Sequence, residues 1–149
     1  MKNFNEHKNA EYNNIMEYLS ILTNDLFDID YDIINEDYSR CDLIYELNGA
    51  TYMVEFKNRN NSSVKYLDTM CEMDKIAGIK QQAKELNIVN PKILFVTTFT
   101  DNTMYEFDME LYDRVDKKMC PKHTANDGNN EYVLKDCIFF NINKTNKIK

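Results

Sequence analysis

The sequence has no tryptophan, only three glycines, two prolines and two histidines among its 149 residues. So little glycine and proline leaves no stretch with the composition of a flexible linker, which argues for one domain. With histidine this scarce, a structural zinc site of about four ligands is not supported, although Cys120-Pro-Lys-His123 has a ligand-like spacing. The four cysteines, Cys41, Cys71, Cys120 and Cys137, contain no C-x-x-C pair. They are expected reduced and partly buried, as in a cytoplasmic protein. Residues 1–14 are polar and carry no apolar signal core. No run of about 18 apolar residues exists either, so no membrane span is expected and the cytoplasm is the expected location. Positive charge is also short: the formal net charge is -7. That balance counts against broad, non-specific gripping of phosphate backbone. It does not exclude a local basic groove over an acidic metal site.

What is present is enough for a core. Hydrophobic content is 43% and aromatic content 12%, well above a disordered chain. Residues 10–26 carry Tyr12, Ile15, Leu19, Leu22 and Leu26 at helical spacing, with Glu17 on the far side and Glu11 at the border of the apolar face. Residues 31–37 read as a short strand, 42–47 and 50–57 as a hairpin, and 58–71 as an irregular polar segment. A second helix is expected over 72–87, with Met73, Ile76, Ala77, Ala83 and Leu86 inward. Asn90-Pro91 breaks the chain. KILFVTTF, 92–99, is apolar on both faces and reads as a central strand. Residues 103–115 fit strand or helix, 119–131 read as a loop, 136–143 as a last strand, and 144–149 as a solvated basic tail. The order gives an α/β fold, with a mixed sheet and helices packed on it. The chain is one domain: a core over about 10–100, an extension over 101–143, and the tail.

The hairpin carries the chemistry. Asn48-Gly49 signals a type I′ turn, which needs positive φ at both central residues. A two-residue loop sets Leu47 against Ala50, Ile44 against Met53 and Asp42 against Glu55. Directly opposed side chains lie about 4.5–5.5 Å apart at Cβ, and Lys57 shares the face of Glu55 by the two-residue period. The other face, Leu43, Tyr45, Leu47, Tyr52, Val54 and Phe56, is core. Opposed carboxylates repel unless compensated. A hard divalent cation compensates them, since Mg²⁺ binds through one or two carboxylates plus water and substrate phosphate.

Asp42, followed thirteen residues on by Glu55-Phe56-Lys57, resembles the half-motif of the PD-(D/E)XK nuclease superfamily, of restriction-endonuclease-like and Holliday-junction-resolvase-like type, including phage and prophage members. The stretches 39–44 and 53–59 match its layout, with Cys41 where the motif's proline would stand. The αβββαβ order of that family's core matches the order read above.

The resemblance implies a Mg²⁺- or Mn²⁺-dependent nuclease acting on nucleic acid, expected to be DNA. Asp42, Glu55 and the Phe56 backbone carbonyl would hold the metal. Lys57 would position the attacking water. Glu11, in the first helix, would assist with metal or water. Lys75, in Glu72-Met73-Asp74-Lys75, would contact the scissile phosphate, with Lys80, Gln81 and Gln82 as weaker candidates. Arg59 and Lys65 would add basic contacts in a loop over 58–71, and that loop and another over 116–130 would shape access. Members of the family often act as homodimers, so a second copy is a candidate partner. The alternative is a catalytically silent module on the same fold that binds nucleic acid or a host protein.

Overall fold

The computed structural model describes residues 4–23, 29–34, 40–122, 131–143 and 146–149, and the side chains of residues 4–8 are left aside. Leu26, residues 35–37 and His123, all considered above, lie outside the described residues. The order is α1 (Phe4–Leu22), β1 (Asp30–Ile33), β2 (Leu43–Leu47), β3 (Ala50–Asn58), β4 (Asp68–Glu72), α2 (Asp74–Glu85), β5 (Lys92–Thr98), β6 (Met104–Asp108), β7 (Arg114–Pro121) and β8 (Tyr132–Asn141).

The central sheet has the order β1-β2-β3-β5-β6. Only the β3–β5 pairing within it is parallel; the other three are antiparallel, so the sheet is mixed. Asn48 and Gly49 have φ of 52° and 80°. Their turn sets Leu47 against Ala50 and Ile44 against Met53, the register expected from the sequence.

Each face of the sheet buries its own cluster. On one face, Ile15, Tyr18 and Leu19 of α1 pack on Leu43, Tyr45, Val54, Phe56, Leu94 and Val96. The Tyr18 hydroxyl, fully enclosed, contacts the Tyr45 hydroxyl at 3.0 Å and donates to Glu106 Oε2 at 2.5 Å. On the other face, Met53, Ile93, Phe95 and Phe107 meet Ile79 and Ala83 of α2 together with Cys71, Ile138 and Phe140.

The last three residues belong to a second, antiparallel sheet of order β4-β8-β7. Four expectations are corrected here. The segment 58–71 is not irregular throughout, because its end forms β4. Residues 114–121, read partly as loop, form β7. The tail does not float: the Ile148 N–H donates to Met104 O at 2.7 Å, and Lys149 Nζ lies 2.8 Å from Glu17 Oε1. Ala77 and Leu86 of the second helix face water, and Ile79 takes the inward place. None of the four cysteines forms a disulfide, and all four are buried.

Candidate active site

The β2–β3 ladder ends at Leu43 opposite Val54. Asp42 lies one residue beyond it, where its N–H donates to Val54 O at 2.8 Å. Its side chain then takes over from the backbone: Oδ2 accepts the Phe56 N–H at 2.8 Å. Asp42 therefore does not pair with Glu55 as a regular ladder residue, but its carboxylate is fixed at the same place. The N–H and C=O of a strand residue point to the same edge. The Phe56 carbonyl thus faces the edge on which Asp42 sits.

Three acidic groups converge here. Glu11, from α1, shares a hydrogen bond with Asp42. Burial, with Asp42 and then Glu55 nearby, raises its carboxyl from 4.5 to about 8. Glu55, on β3, is raised from 4.5 to about 8 by burial and by Asp42, against the opposing effect of Lys75 and Lys57. Lys75, from the first turn of α2, reaches Glu55 Oε1 at 3.3 Å. Its ammonium is held protonated by Glu55, against the opposing desolvation. Lys57 is exposed and near enough to favour ionisation of both Glu11 and Glu55. The five side chains expected from the sequence thus meet in one place. Their carboxylates would carry mutual repulsion that Lys57 and Lys75 offset only in part.

They line a cleft of about 620 Å³. Arg59, Cys71 and Glu72 extend its acidic-basic wall, and Met119, Pro121 and Tyr132, from β7 and β8, form an apolar one. The access-shaping elements are therefore strands β4, β7 and β8 as much as loops. Lys80, a weaker candidate, is bound 2.5 Å from Glu110 Oε1, and Gln81 turns to Glu85 Oε1 at 3.4 Å. Neither they nor Gln82 line the cleft. Arg59 was legible as a nearby base, but its burial was not. The signal was available, since positions 55, 57 and 59 share one face by the two-residue period.

Mg²⁺ asks for one or two carboxylates, neutral oxygens and water. Asp42, Glu55, Glu11 and the Phe56 carbonyl supply oxygens of that type. Among the described residues no three acidic, histidine or cysteine side chains form a ready-made coordination shell, and Glu55 is turned to Lys75. The fit is one of donor chemistry, completed when Glu55 and Glu11 give up their present partners.

No protein-family model matches the sequence. No curated protein matches it either. A solved structure does: Hjc, a Holliday junction resolvase from the archaeal hyperthermophile Archaeoglobus fulgidus, superposes with a TM-score of 0.52 over 87% of this chain and 86% of its own, at 8% identity. The fold is restriction-endonuclease-like, as in Hjc. At that identity the likeness covers architecture: a mixed central sheet with helices on it. No helix among the described residues is long and apolar enough to cross a membrane.

Proposed function

We propose that this chain is a divalent-metal-dependent nuclease that hydrolyses phosphodiester bonds, with DNA as its substrate. One observation carries the proposal: Glu11, Asp42 and Glu55 converge with Lys57 and Lys75 in one cleft. The likeness to a Holliday junction resolvase supports the choice of nucleic acid. A phage or prophage origin rests on the sequence resemblance alone.

Roles follow from position. Asp42 is fixed by the Phe56 N–H, so it would be the anchoring metal ligand, and Glu55 and the Phe56 carbonyl would complete the protein's share. Mg²⁺ or Mn²⁺ would supply charge neutralisation at the phosphate and a more acidic water. Lys57, exposed at the cleft, orients that water and stabilises developing negative charge. Lys75 pairs with Glu55 at 3.3 Å, and would contact the scissile phosphate once Glu55 has another partner. Glu11, hydrogen-bonded to Asp42, would assist with metal or water.

The second reading, a silent module that binds nucleic acid or a host protein, is favoured by one observation. Lys75 Nζ already stands 3.3 Å from Glu55 Oε1, which gives this carboxyl a partner other than a metal. Calorimetric titration with Mn²⁺ separates the two. Wild type is expected to bind in the micromolar to millimolar range. Glu55→Ala is expected to lose that binding while its circular dichroism stays unchanged. Equal Mn²⁺ binding by the variant would mean that the metal site is assigned to the wrong residues.

A further inference from the structure

A second cavity, of about 230 Å³, adjoins the cleft and shares Arg59 and Met70 with it. Its walls include Tyr66, Phe99, Phe139 and Asn61. The Arg59 guanidinium stands between the two spaces. Its Nε donates to Thr69 Oγ1 at 3.3 Å and its Nη2 to the Met70 carbonyl. Both of these partners are neutral; Asp68, which lines the same cavity, is paired instead with Arg114 at 3.2 Å. Among the described residues no carboxylate pairs with this partly buried cation, an arrangement that leaves its charge uncompensated, and a phosphate is the anion a guanidinium fork fits best.

Tyr66 is 56% exposed, with Lys65 Nζ at 5.3 Å from its ring centroid. Phe139 has Arg114 against its face, 3.8 Å from the ring centroid, and Phe99 is buried against Tyr105, which leaves Tyr66 as the exposed ring of the cavity. The loop that carries Tyr66 is anchored. The Thr100 N–H donates to Asn61 O at 3.1 Å, and Asp101 accepts the Ser63 N–H at 3.1 Å and its hydroxyl at 2.5 Å.

We propose that this cavity is a subsite for one nucleoside of an unpaired strand, next to the scissile phosphate, with Arg59 holding the phosphate between cleft and subsite. The proposal deepens the nuclease assignment and rests on it. Charge supports the unpaired strand. A chain of net charge -7 gains little from the sequence-independent attraction that duplex binding relies on. Stacking on an aromatic ring adds affinity on top of that attraction, for any base, but only when that base is free of its own helix.

The test is binding, read apart from cleavage. Fluorescence anisotropy of a labelled short oligothymidylate, and of a duplex of the same length, would be measured with Ca²⁺ in place of Mg²⁺ on wild type, Tyr66→Ala and Tyr66→Phe. Tyr66→Ala is expected to bind the single strand roughly tenfold more weakly, the scale of one base stacked on one ring. Its duplex binding is expected to stay as in wild type, and Tyr66→Phe is expected to restore the single strand. Wild-type-like single-strand binding by Tyr66→Ala would overturn the subsite. So would an equal loss on both substrates, or no single-strand binding by wild type. Tyr66-dependent binding by a wild type that cuts nothing would instead remove the nuclease assignment and leave the subsite standing.

Discussion

Glu11→Gln should stabilise the metal-free protein, although it removes a residue assigned to the active site. In the folded state burial and Asp42 raise the Glu11 carboxyl from 4.5 to about 8. At pH 7.5 folding must therefore take up a proton that the unfolded chain does not hold. Each tenfold of proton affinity is worth about 1.4 kcal/mol, so a fully enclosed group would cost about 4 kcal/mol. Glu11 is only partly enclosed, and solvent screening reduces the figure to about 1–2 kcal/mol. Glutamine has nearly the same shape, can still donate to Asp42, and carries no charge to neutralise. The expected gain is about 1–2 kcal/mol, or roughly 2–8 °C in Tm for a domain of this size. The sign with pH is definite. Between 4.5 and about 8 the folded state binds more protons than the unfolded state, so wild-type stability falls as pH rises through that window. The variant should show a flatter dependence, and the two should converge below the unfolded value. Urea denaturation in EDTA across that range is the assay. An unchanged or lower stability of Glu11→Gln at pH 7.5, or a wild type that gains stability as pH rises through the window, would refute the crowding of carboxylates at this site.

Other outcomes follow from the fold. Gly49→Ala should cost about 1–2 kcal/mol, because φ of 80° is strained for a residue with Cβ, while the space around it is open; chemical denaturation measures it. Tyr18→Phe should cost about 1–3 kcal/mol, since it leaves Glu106 and the Tyr45 hydroxyl without their shared partner. Its metal binding should be unchanged, which calorimetry checks.

The parts of the fold legible in sequence are those specified locally. Asn48-Gly49 fixed the hairpin register, and the two-sided apolar run at 92–98 marked the strand beside it. The same local period places Asp42, Glu55 and Lys57 on one face of the hairpin, although Asp42 lies one residue beyond the ladder. The second sheet was not legible in this way. Strand β4 is five residues, three of them polar, and it is a strand because Met70 and Cys71 find Phe139 and Ile138 across a ladder nearly seventy residues away in sequence. Strand β7 lies at a sheet edge with residues 114–119 all exposed, so its sequence carries no apolar alternation to read. Lys75 was legible as a base near the site. Its bond to Glu55 depends on how α2 docks, which no local pattern encodes. Arg59 reads as a loop base, and its partly buried place depends on β4, where Thr69 and Met70 accept its hydrogen bonds.

The most direct measurement is cleavage. Wild type and Lys57→Ala would be incubated with plasmid, linear, branched and single-stranded DNA, and with RNA, in Mg²⁺ and separately in Mn²⁺. The account expects cutting by wild type that requires the metal and disappears in Lys57→Ala. Metal-dependent cutting that survives in Lys57→Ala, or no cutting of any substrate by a wild type that also fails to bind Mn²⁺, would contradict it.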